Sequence, residues 1–140
     1  PMWDEVDTTA INERAWRAKK RNFLPVTTSQ GRMQFRETLP ESVLAMNDFG
    51  LWEPVSGERI DAKKLDVVVT PLVAFDDQGN RIGMGGGFFD RTFAFLADRN
   101  YWLRPKLIGV AFECQRVRKI APNPWDIRVF HVFTETCTGR

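Results

Sequence analysis

The residues best suited to chemistry form a glycine-rich stretch between Arg81 and Arg91. Four of the five positions from 83 to 87 are glycine, and an acid, Asp90, follows them. Glycine is needed where the backbone takes positive φ or approaches a ligand closely, and consecutive amides in such a loop can form an anion-binding nest. The stretch therefore predicts a phosphate-binding loop, and composition leaves a glycine-rich surface turn open as the alternative.

Several familiar site patterns do not fit this chain. A P-loop requires Gly-Lys followed by Ser or Thr, and a dinucleotide fingerprint started at Gly83 requires glycine where Phe88 stands. A nucleophile paired with histidine is not indicated, because the only histidine, His131, lies in an apolar strand pattern that favours a packed or edge residue. The only cysteines, Cys114 and Cys137, show no metal or disulfide spacing. We expect no covalent catalytic residue and a reducing, cytoplasmic location.

Two acids are candidates to hold Mg²⁺. A nucleotide triphosphate usually binds together with Mg²⁺, which takes one or two carboxylates along with phosphate oxygens and water. Asp90 adjoins the glycine stretch, and Asp126 follows the next buried strand, so the fold can bring the two acids together. The alternatives are a helix N-terminal acid stabilised by the dipole for Asp90 and a turn cap before Ile127 for Asp126.

The elements around the glycine stretch predict an α/β domain. A nearly continuous apolar run over 65–75 favours a strand buried on both faces, and the composition of 76–80 is typical of a turn. Helical spacing then predicts a helix over about 89–100, followed by strands over 106–112 and 129–133. Because strand, helix and strand in this order favour a right-handed parallel crossover, we expect a three-layer fold with a mainly parallel sheet and helices on both faces.

The first half of the chain predicts smaller elements. They are a helix capped by Asp7, Thr8 or Thr9 and running to about Lys20 with Ile11, Ala15 and Ala18 facing inward, a pair of strands over 22–26 and 33–36, and a short helix over 40–46. The side chain of Trp52 can stack on a planar ligand, but its neighbours favour packing against the domain.

Composition predicts a soluble, folded chain rather than a disordered or membrane-spanning one. The chain is 43% hydrophobic and 27% charged, and its formal net charge is +2. Such a balanced charge does not indicate a nucleic-acid surface, although Arg116, Arg118 and Lys119 leave that weaker reading open. We expect one domain over 1–140 that works as a monomer without nucleic-acid or membrane partners.

Two segments, Val69 to Asp76 and Gly79 to Arg91, resemble the signature of the 5-formyltetrahydrofolate cyclo-ligase family, also called 5,10-methenyltetrahydrofolate synthetase. The resemblance covers essentially the whole chain, and it implies that the family's N-terminal helix, with its triphosphate-gripping basic residues, and first strand are missing here. Further matching segments, in the family's order, are Asp4–Thr8, Phe23–Val26, Phe49–Gly50 with Glu53–Pro54, Ile108–Gln115 and Trp125–Ile127.

The resemblance implies ATP-dependent cyclisation of 5-formyltetrahydrofolate to 5,10-methenyltetrahydrofolate in one-carbon metabolism, with release of ADP and phosphate. In this reaction the formyl oxygen attacks the γ-phosphate, and N10 then attacks the activated carbon and expels phosphate. Positioning and charge neutralisation carry such a phosphoryl transfer. The implied ligands are ATP, Mg²⁺ and 5-formyltetrahydrofolate, and the alternative is a catalytically silent relative that binds nucleotide or folate.

The resemblance also assigns site residues. It implies ATP binding by Arg81, Ile82, Gly83, Met84, Gly85, Gly86, Gly87, Phe88 and Phe89, folate binding by Glu5, Met84, Gly85, Gly86, Gly87 and Phe88, and Mg²⁺ binding by Asp90 and Asp126. Many family members carry tyrosine where this chain has Phe88 and Phe89. The ring is kept and the hydroxyl is lost, along with a hydrogen bond worth about 1 kcal/mol net.

Overall fold

The computed structural model describes residues 5–99 and 104–136. Within these ranges the strands form a parallel three-stranded sheet, an antiparallel three-stranded sheet and two hairpins, so the sheets are mixed rather than mainly parallel. The elements are α1 Thr9–Arg17, β1 Asn22–Thr27, β2 Met33–Thr38, β3 Leu44–Met46, β4 Trp52–Pro54, β5 Arg59–Ile60, a 3₁₀ helix Ala62–Lys64, β6 Val67–Thr70, β7 Ala74–Phe75, β8 Arg81–Ile82, α2 Phe88–Thr92, a 3₁₀ helix Ala94–Ala97, β9 Lys106–Val110, a 3₁₀ helix Glu113–Gln115 and β10 His131–Phe133.

The parallel sheet has the strand order β10-β9-β6. Val67 pairs with Lys106 at one end of the β6–β9 ladder, and His131 pairs with Ile108 across β9 and β10. The predicted parallel pairing of the strand before the glycine stretch with the strand after it is therefore confirmed. The half-buried His131 lies on a strand at the edge of this sheet, as expected.

One face of the parallel sheet is exposed in the described part of the chain. Val68 and Thr70 are buried, whereas Val67 is 58% and Val69 is 38% exposed. The prediction of a strand buried on both faces is therefore wrong for these residues. The strand also ends before Pro71, which has no backbone N–H to continue a ladder, and the chain resumes as β7, which pairs with β8. A second helical layer over the exposed face stays a prediction.

Hydrogen bonds from two side chains attach the first helix to the strands of the first hairpin. Asp7 accepts hydrogen bonds from the amide and the hydroxyl of Thr9, at 2.9 and 2.6 Å, just before the helix start. The N-cap residue itself is Thr8, one of the predicted candidates, and its side chain makes no capping hydrogen bond. The predicted inward stripe is wrong, because α1 has no buried residue and Ile11 is exposed. Instead the indole N–H of Trp16 donates to the carbonyl of Thr38 at 2.9 Å.

The β1–β2 and β3–β4 hairpins follow α1, and the β3–β4 hairpin lies where a helix was predicted. The antiparallel pairing of β1 with β2 confirms the first hairpin. The predicted helix over 40–46 is wrong, since β3 pairs antiparallel with β4. The Asn47 side-chain oxygen accepts from the amides of Phe49 and Leu51 at 2.9 Å and holds the tight turn between these strands. Trp52 is 60% exposed, so its predicted packing against the domain is also wrong.

The main core lies between the parallel and antiparallel sheets and is centred on Phe93. This ring is fully buried and lies 6.0 Å from the ring of Phe35 and 5.6 Å from that of Phe89. Next to it, the buried Thr92 hydroxyl accepts from the amide of Met33 at 2.8 Å. The predicted helix is correspondingly shorter, because α2 ends at Thr92 and a 3₁₀ turn follows; its predicted end, Asn100, lies outside the described residues.

Composition also led to expectations about the cysteines and about membrane-spanning helices. Cys114 is a free, exposed cysteine, and Cys137 lies outside the described residues. Within the ranges that the structure covers, no helix has the length and apolar character needed to cross a membrane.

The Phe93→Ala substitution is expected to lower the free energy of unfolding by about 3–5 kcal/mol, because it leaves a cavity between the two sheets. Denaturant unfolding measures this loss. Phe112→Ala is the matched control, since the side chain of Phe112 is exposed, and we expect a loss below about 1 kcal/mol there. Equal losses in the two variants would contradict the central position of Phe93.

Candidate active site

The glycine stretch is preceded by a turn that one buried carboxylate organises. Asp76 Oδ1 accepts from the amides of Gln78 and Asn80, both at 3.0 Å. Its Oδ2 accepts from the side-chain amide of Asn80 at 3.0 Å and from the amide of Ile120 at 2.9 Å. Burial alone would raise the pKa of Asp76, but these hydrogen bonds favour the ionised form and hold its pKa below the usual value.

The same turn is docked on the later part of the chain. Gly79 has φ +82°, and a Cβ atom there would lie 2.4 Å from the carbonyl oxygen of Val129. The carbonyl of Gly79 in turn accepts from the amide of Val129 at 3.0 Å. Only glycine suits such a positive φ and close approach. The turn before β8 is thus fixed by its contacts with Ile120 and with Val129.

Arg81, the first residue of β8, carries a buried guanidinium. Its side chain is 7% exposed, and Nη2 donates to Asp90 Oδ1 at 3.3 Å. The guanidinium also lies over the ring of Phe89, with Cζ 5.3 Å from the centroid. Desolvation lowers the pKa of Arg81, while the negative charges of Asp90 and Asp126 act in the opposite direction. The three residues 81, 90 and 126 therefore form one electrostatic cluster.

The glycine loop, residues 83–87, runs from β8 to the start of α2. Gly85 has φ +89° and Gly87 has φ +68°, a region that L side chains rarely adopt. The side chain of Met84 is exposed. Within the described ranges, no acceptor receives a hydrogen bond from the amides of Gly85, Gly86 or Gly87. Their N–H groups are therefore available to an anion.

Arg91 contacts the loop from α2. Its Nη2 donates to the carbonyl of Gly86 at 2.5 Å, and its Nε donates to the carbonyl of Gly31 at 2.8 Å. Gly31 belongs to the turn between β1 and β2. The guanidinium also lies over the ring of Phe88, with Cζ 5.4 Å from the centroid. One side chain thus joins the loop, α2 and the first hairpin.

Asp90 and Asp126 are brought together as predicted. Asp90 Oδ1 accepts from the amide of Ile127 at 3.0 Å, which places the two acids on adjoining segments. Asp126 Oδ2 accepts from the amide of Asn123 at 2.7 Å, so the turn-cap interpretation of Asp126 is also correct. The second oxygen of each carboxylate accepts no hydrogen bond within the described residues. Each acid thus keeps one oxygen that can bind a cation.

Glu5 is the remaining predicted site residue, and an exposed hairpin contacts the start of α2. Glu5 is half-buried and lies shortly before α1, and its proposed contact with folate stays a prediction. The turn between β3 and β4 reaches the start of α2, since the ring of Phe49 lies 6.0 Å from that of Phe88 in an edge-on arrangement. Trp52, on β4, exposes an aromatic surface on this hairpin.

The sequence did not indicate the parts played by Asp76 and Arg91. Both were visible only as members of the glycine-rich signature, one as a turn residue and the other as a flanking cation. Their partners lie far away along the chain, at Ile120 and Gly31. An acid that opens a Gly- and Asn-containing turn is a known local signal, but the long-range partners carry no local signal.

Comparisons with known proteins identify the family. A sequence model of the 5-formyltetrahydrofolate cyclo-ligase family matches residues 1–135. The chain belongs to this family. It is 42% identical over 134 residues to the 5-formyltetrahydrofolate cyclo-ligase of Escherichia coli strain K12, covering 93% of this chain and 71% of that protein. It is 35% identical over 132 residues to the Haemophilus influenzae cyclo-ligase, covering 91% of this chain and 68% of that one.

Solved structures of cyclo-ligase relatives share the fold. The NMR structure of Aquifex aeolicus 5,10-methenyltetrahydrofolate synthetase superposes with a TM-score of 0.76 at 30% identity, over 98% of this chain and 66% of that chain. A Mycoplasma pneumoniae 5,10-methenyltetrahydrofolate synthetase, at 22% identity and a TM-score of 0.67, supports the fold alone. The chain therefore spans about two thirds of the length of these structures.

Asp76→Asn is expected to destabilise the cyclo-ligase chain by about 1–3 kcal/mol at neutral pH, because an amide NH₂ would face two N–H donors. The depressed pKa of Asp76 stabilises the fold above the unfolded value near 3.8, and this contribution is lost as pH falls through the folded value. The difference between wild type and variant should therefore shrink as the pH falls below about 4. Urea unfolding across this range measures it.

Asp77→Asn is the matched control for this titration. Asp77 adjoins Asp76, but its exposed carboxylate pairs only with Arg116 in the described structure, and such surface pairs contribute about 0–1 kcal/mol. We expect a small effect on the free energy of unfolding. A difference between wild type and Asp76→Asn that does not shrink as the pH falls below about 4 would rule out the proposed ionic role of Asp76.

Proposed function

We propose that this chain catalyses the ATP-dependent cyclisation of 5-formyltetrahydrofolate to 5,10-methenyltetrahydrofolate, with release of ADP and phosphate. The observation that carries this proposal is a glycine loop with unengaged amides, held beside the Arg81–Asp90 pair, in a member of the cyclo-ligase family. The reaction needs no protein nucleophile. The formyl oxygen attacks the γ-phosphate, N10 then attacks the activated carbon, and phosphate leaves.

The loop is proposed to bind the phosphates of ATP through its backbone. Amides that point at developing charge stabilise a transferring phosphoryl group without reorganising, and Gly85, Gly86 and Gly87 offer such amides. Met84 and Phe88 are proposed to contact both ATP and the folate, and Glu5 to contact the folate. Arg81, Ile82, Gly83 and Phe89 complete the proposed ATP site.

Arg81 is proposed to act mainly through its neighbours. A guanidinium that is 7% exposed and already paired with Asp90 is poorly placed to meet a phosphate from solvent. Its charge instead offsets the two acids, and its contact with the ring of Phe89 orders the start of α2. Arg81 thereby fixes the position of the carboxylates beside the loop.

Asp90 and Asp126 fit a Mg²⁺ ion bound with the nucleotide. Mg²⁺ usually takes one or two carboxylates and fills its other positions with phosphate oxygens and water. Each of these acids keeps one carboxylate oxygen without a hydrogen bond in the described structure, and the described residues hold no group of three or more potential ligands. When bound, the ion would neutralise charge on the phosphates.

The wider setting is also proposed. We infer that residues 1–140 act as one cytoplasmic, monomeric domain without a nucleic-acid partner, in keeping with the net charge of +2. We further propose the three-layer arrangement, with helices on both faces of the parallel sheet. The exposed apolar side chains of Val67 and Val69 support a covering layer.

Product formation with Mg-ATP and 5-formyltetrahydrofolate, followed by the absorbance of methenyltetrahydrofolate, tests the proposed activity. Gly85→Ala is expected to raise the KM for ATP at least tenfold, because an L residue at φ +89° costs about 1–2 kcal/mol and shifts the loop amides. Gly50→Ala is the matched control: φ is +75°, and neither position has an atom within 4 Å of the new Cβ. We expect little change there.

Asp90→Asn and Asp126→Asn are each expected to raise the Mg²⁺ concentration needed for half-maximal rate at least tenfold, since one charged ligand is removed. Titration of the rate with Mg²⁺ at saturating ATP measures this. A folded wild-type chain that binds ATP but forms no product would instead support the catalytically silent relative.

A further inference from the structure

Arg91 holds the glycine loop between two fixed points. Its Nε donates to the carbonyl of Gly31 at 2.8 Å, and its Nη2 donates to the carbonyl of Gly86 at 2.5 Å. The Gly31 turn is itself closed by hydrogen bonds, from the amide of Thr28 to the carbonyl of Arg32 at 2.9 Å and from the amide of Gly31 to the carbonyl of Thr28 at 3.1 Å. The turn is thus an ordered anchor outside the loop.

The backbone of Arg91 is held in place by α2. The amide of Arg91 donates to the carbonyl of Gly87 at 3.0 Å, and the next residue, Thr92, is buried and accepts from the amide of Met33. The backbone of Arg91 is therefore fixed to the first hairpin, and its side chain reaches back along the loop. A planar, five-donor guanidinium can serve two carbonyls at once, whereas a lysine ammonium is a compact point charge.

The direction of one peptide group follows from this support. A peptide unit is planar and trans, so its carbonyl oxygen and its N–H point in opposite directions. The guanidinium of Arg91 holds the Gly86 carbonyl toward itself, and the Gly87 N–H of the same peptide unit must then point away from it. Gly87 has φ +68°, a conformation that a flip of this peptide would change.

We propose that Arg91 is a positioning residue that fixes the orientation of the Gly86–Gly87 peptide, so that the Gly87 amide is presented to the bound phosphate. The proposal rests on the phosphate-binding role of the loop. Arg91 itself does not touch the nucleotide. It acts by preventing a flip of the Gly86–Gly87 peptide. Such a flip would turn a carbonyl oxygen, instead of an N–H donor, toward the phosphate.

Two variants of Arg91 separate geometry from charge. Arg91→Ala removes both donors, and Arg91→Lys keeps the charge but not the two-pronged geometry. We expect both variants to raise the Kd for Mg-ATP at least tenfold while the KM for 5-formyltetrahydrofolate stays within twofold. Arg21→Lys is the control, because Arg21 is also a surface arginine bound to two partners, Glu37 and Glu58. An Arg91→Lys variant with wild-type affinity would overturn the proposal.

A readout without ligand keeps this test independent of the proposed function. Heteronuclear ¹⁵N NOE values at Gly86 and Gly87 in the ligand-free chain should fall in both Arg91 variants and stay unchanged in Arg21→Lys. Unchanged values in Arg91→Ala would overturn the proposal even if the chain were inactive. If the wild-type chain binds no ATP, the phosphate role of the loop fails, and the NOE values still decide whether Arg91 orders it.

Gly31→Ala tests the same contact from the other side and keeps Arg91 intact. A Cβ atom at position 31 would lie 2.8 Å from Arg91 Nη2, and it must displace the guanidinium. Gly50→Ala has a similar positive φ without any such contact, so it controls for backbone strain. We expect Gly31→Ala to lower the NOE values at Gly86 and Gly87, and Gly50→Ala to leave them unchanged. Unchanged values in Gly31→Ala would contradict the proposed support.

Discussion

The site depends on keeping the charge of Arg81 in a buried position. A buried guanidinium is costly unless it is paired and hydrogen-bonded, and here the carboxylate of Asp90 supplies the ion pair while the ring of Phe89 covers the guanidinium. The same carboxylate accepts from the amide of Ile127. The contacts of Asp90 therefore connect β8, α2 and the segment that carries Asp126. As a result, both acids lie beside the glycine loop.

The loop is ordered by residues outside it rather than by its own glycines. Asp76 and Gly79 fix the turn before β8 through contacts at Ile120 and Val129. Thr92 and the fully buried Phe93 fix the chain after the loop. Between these anchors the glycines permit positive φ, and their amides stay unengaged in the described structure. A loop of this kind combines the backbone freedom that glycine provides with a limited set of conformations.

Sequence predicted the features that have a local or a topological cause. The glycine loop, the parallel pairing of β6 with β9 and the approach of Asp126 to Asp90 follow from composition, strand order and the rule that strand ends share an edge. The predicted helix over 40–46 failed because the side chain of Asn47 closes a hairpin turn that apolar spacing does not reveal.

The remaining differences arise from tertiary contacts. Val67 and Val69 read as core residues, because a β-branched apolar run has the same pattern whether or not a layer covers it. The role of Arg91 depends on the carbonyl of Gly31, which lies 60 positions earlier in the chain. Local patterns therefore located the loop, but they did not identify the side chain that orients its peptide groups.

The most direct measurement is a Mg-ATP titration of the ¹⁵N-labelled chain, followed by backbone amide chemical shifts. If the loop amides bind the phosphates, the largest shifts should fall on Gly85, Gly86 and Gly87, and ADP should produce smaller shifts at the same amides. Calorimetric ATP binding with these three amides unmoved, and with the largest shifts elsewhere, would contradict the phosphate-binding role of the glycine loop.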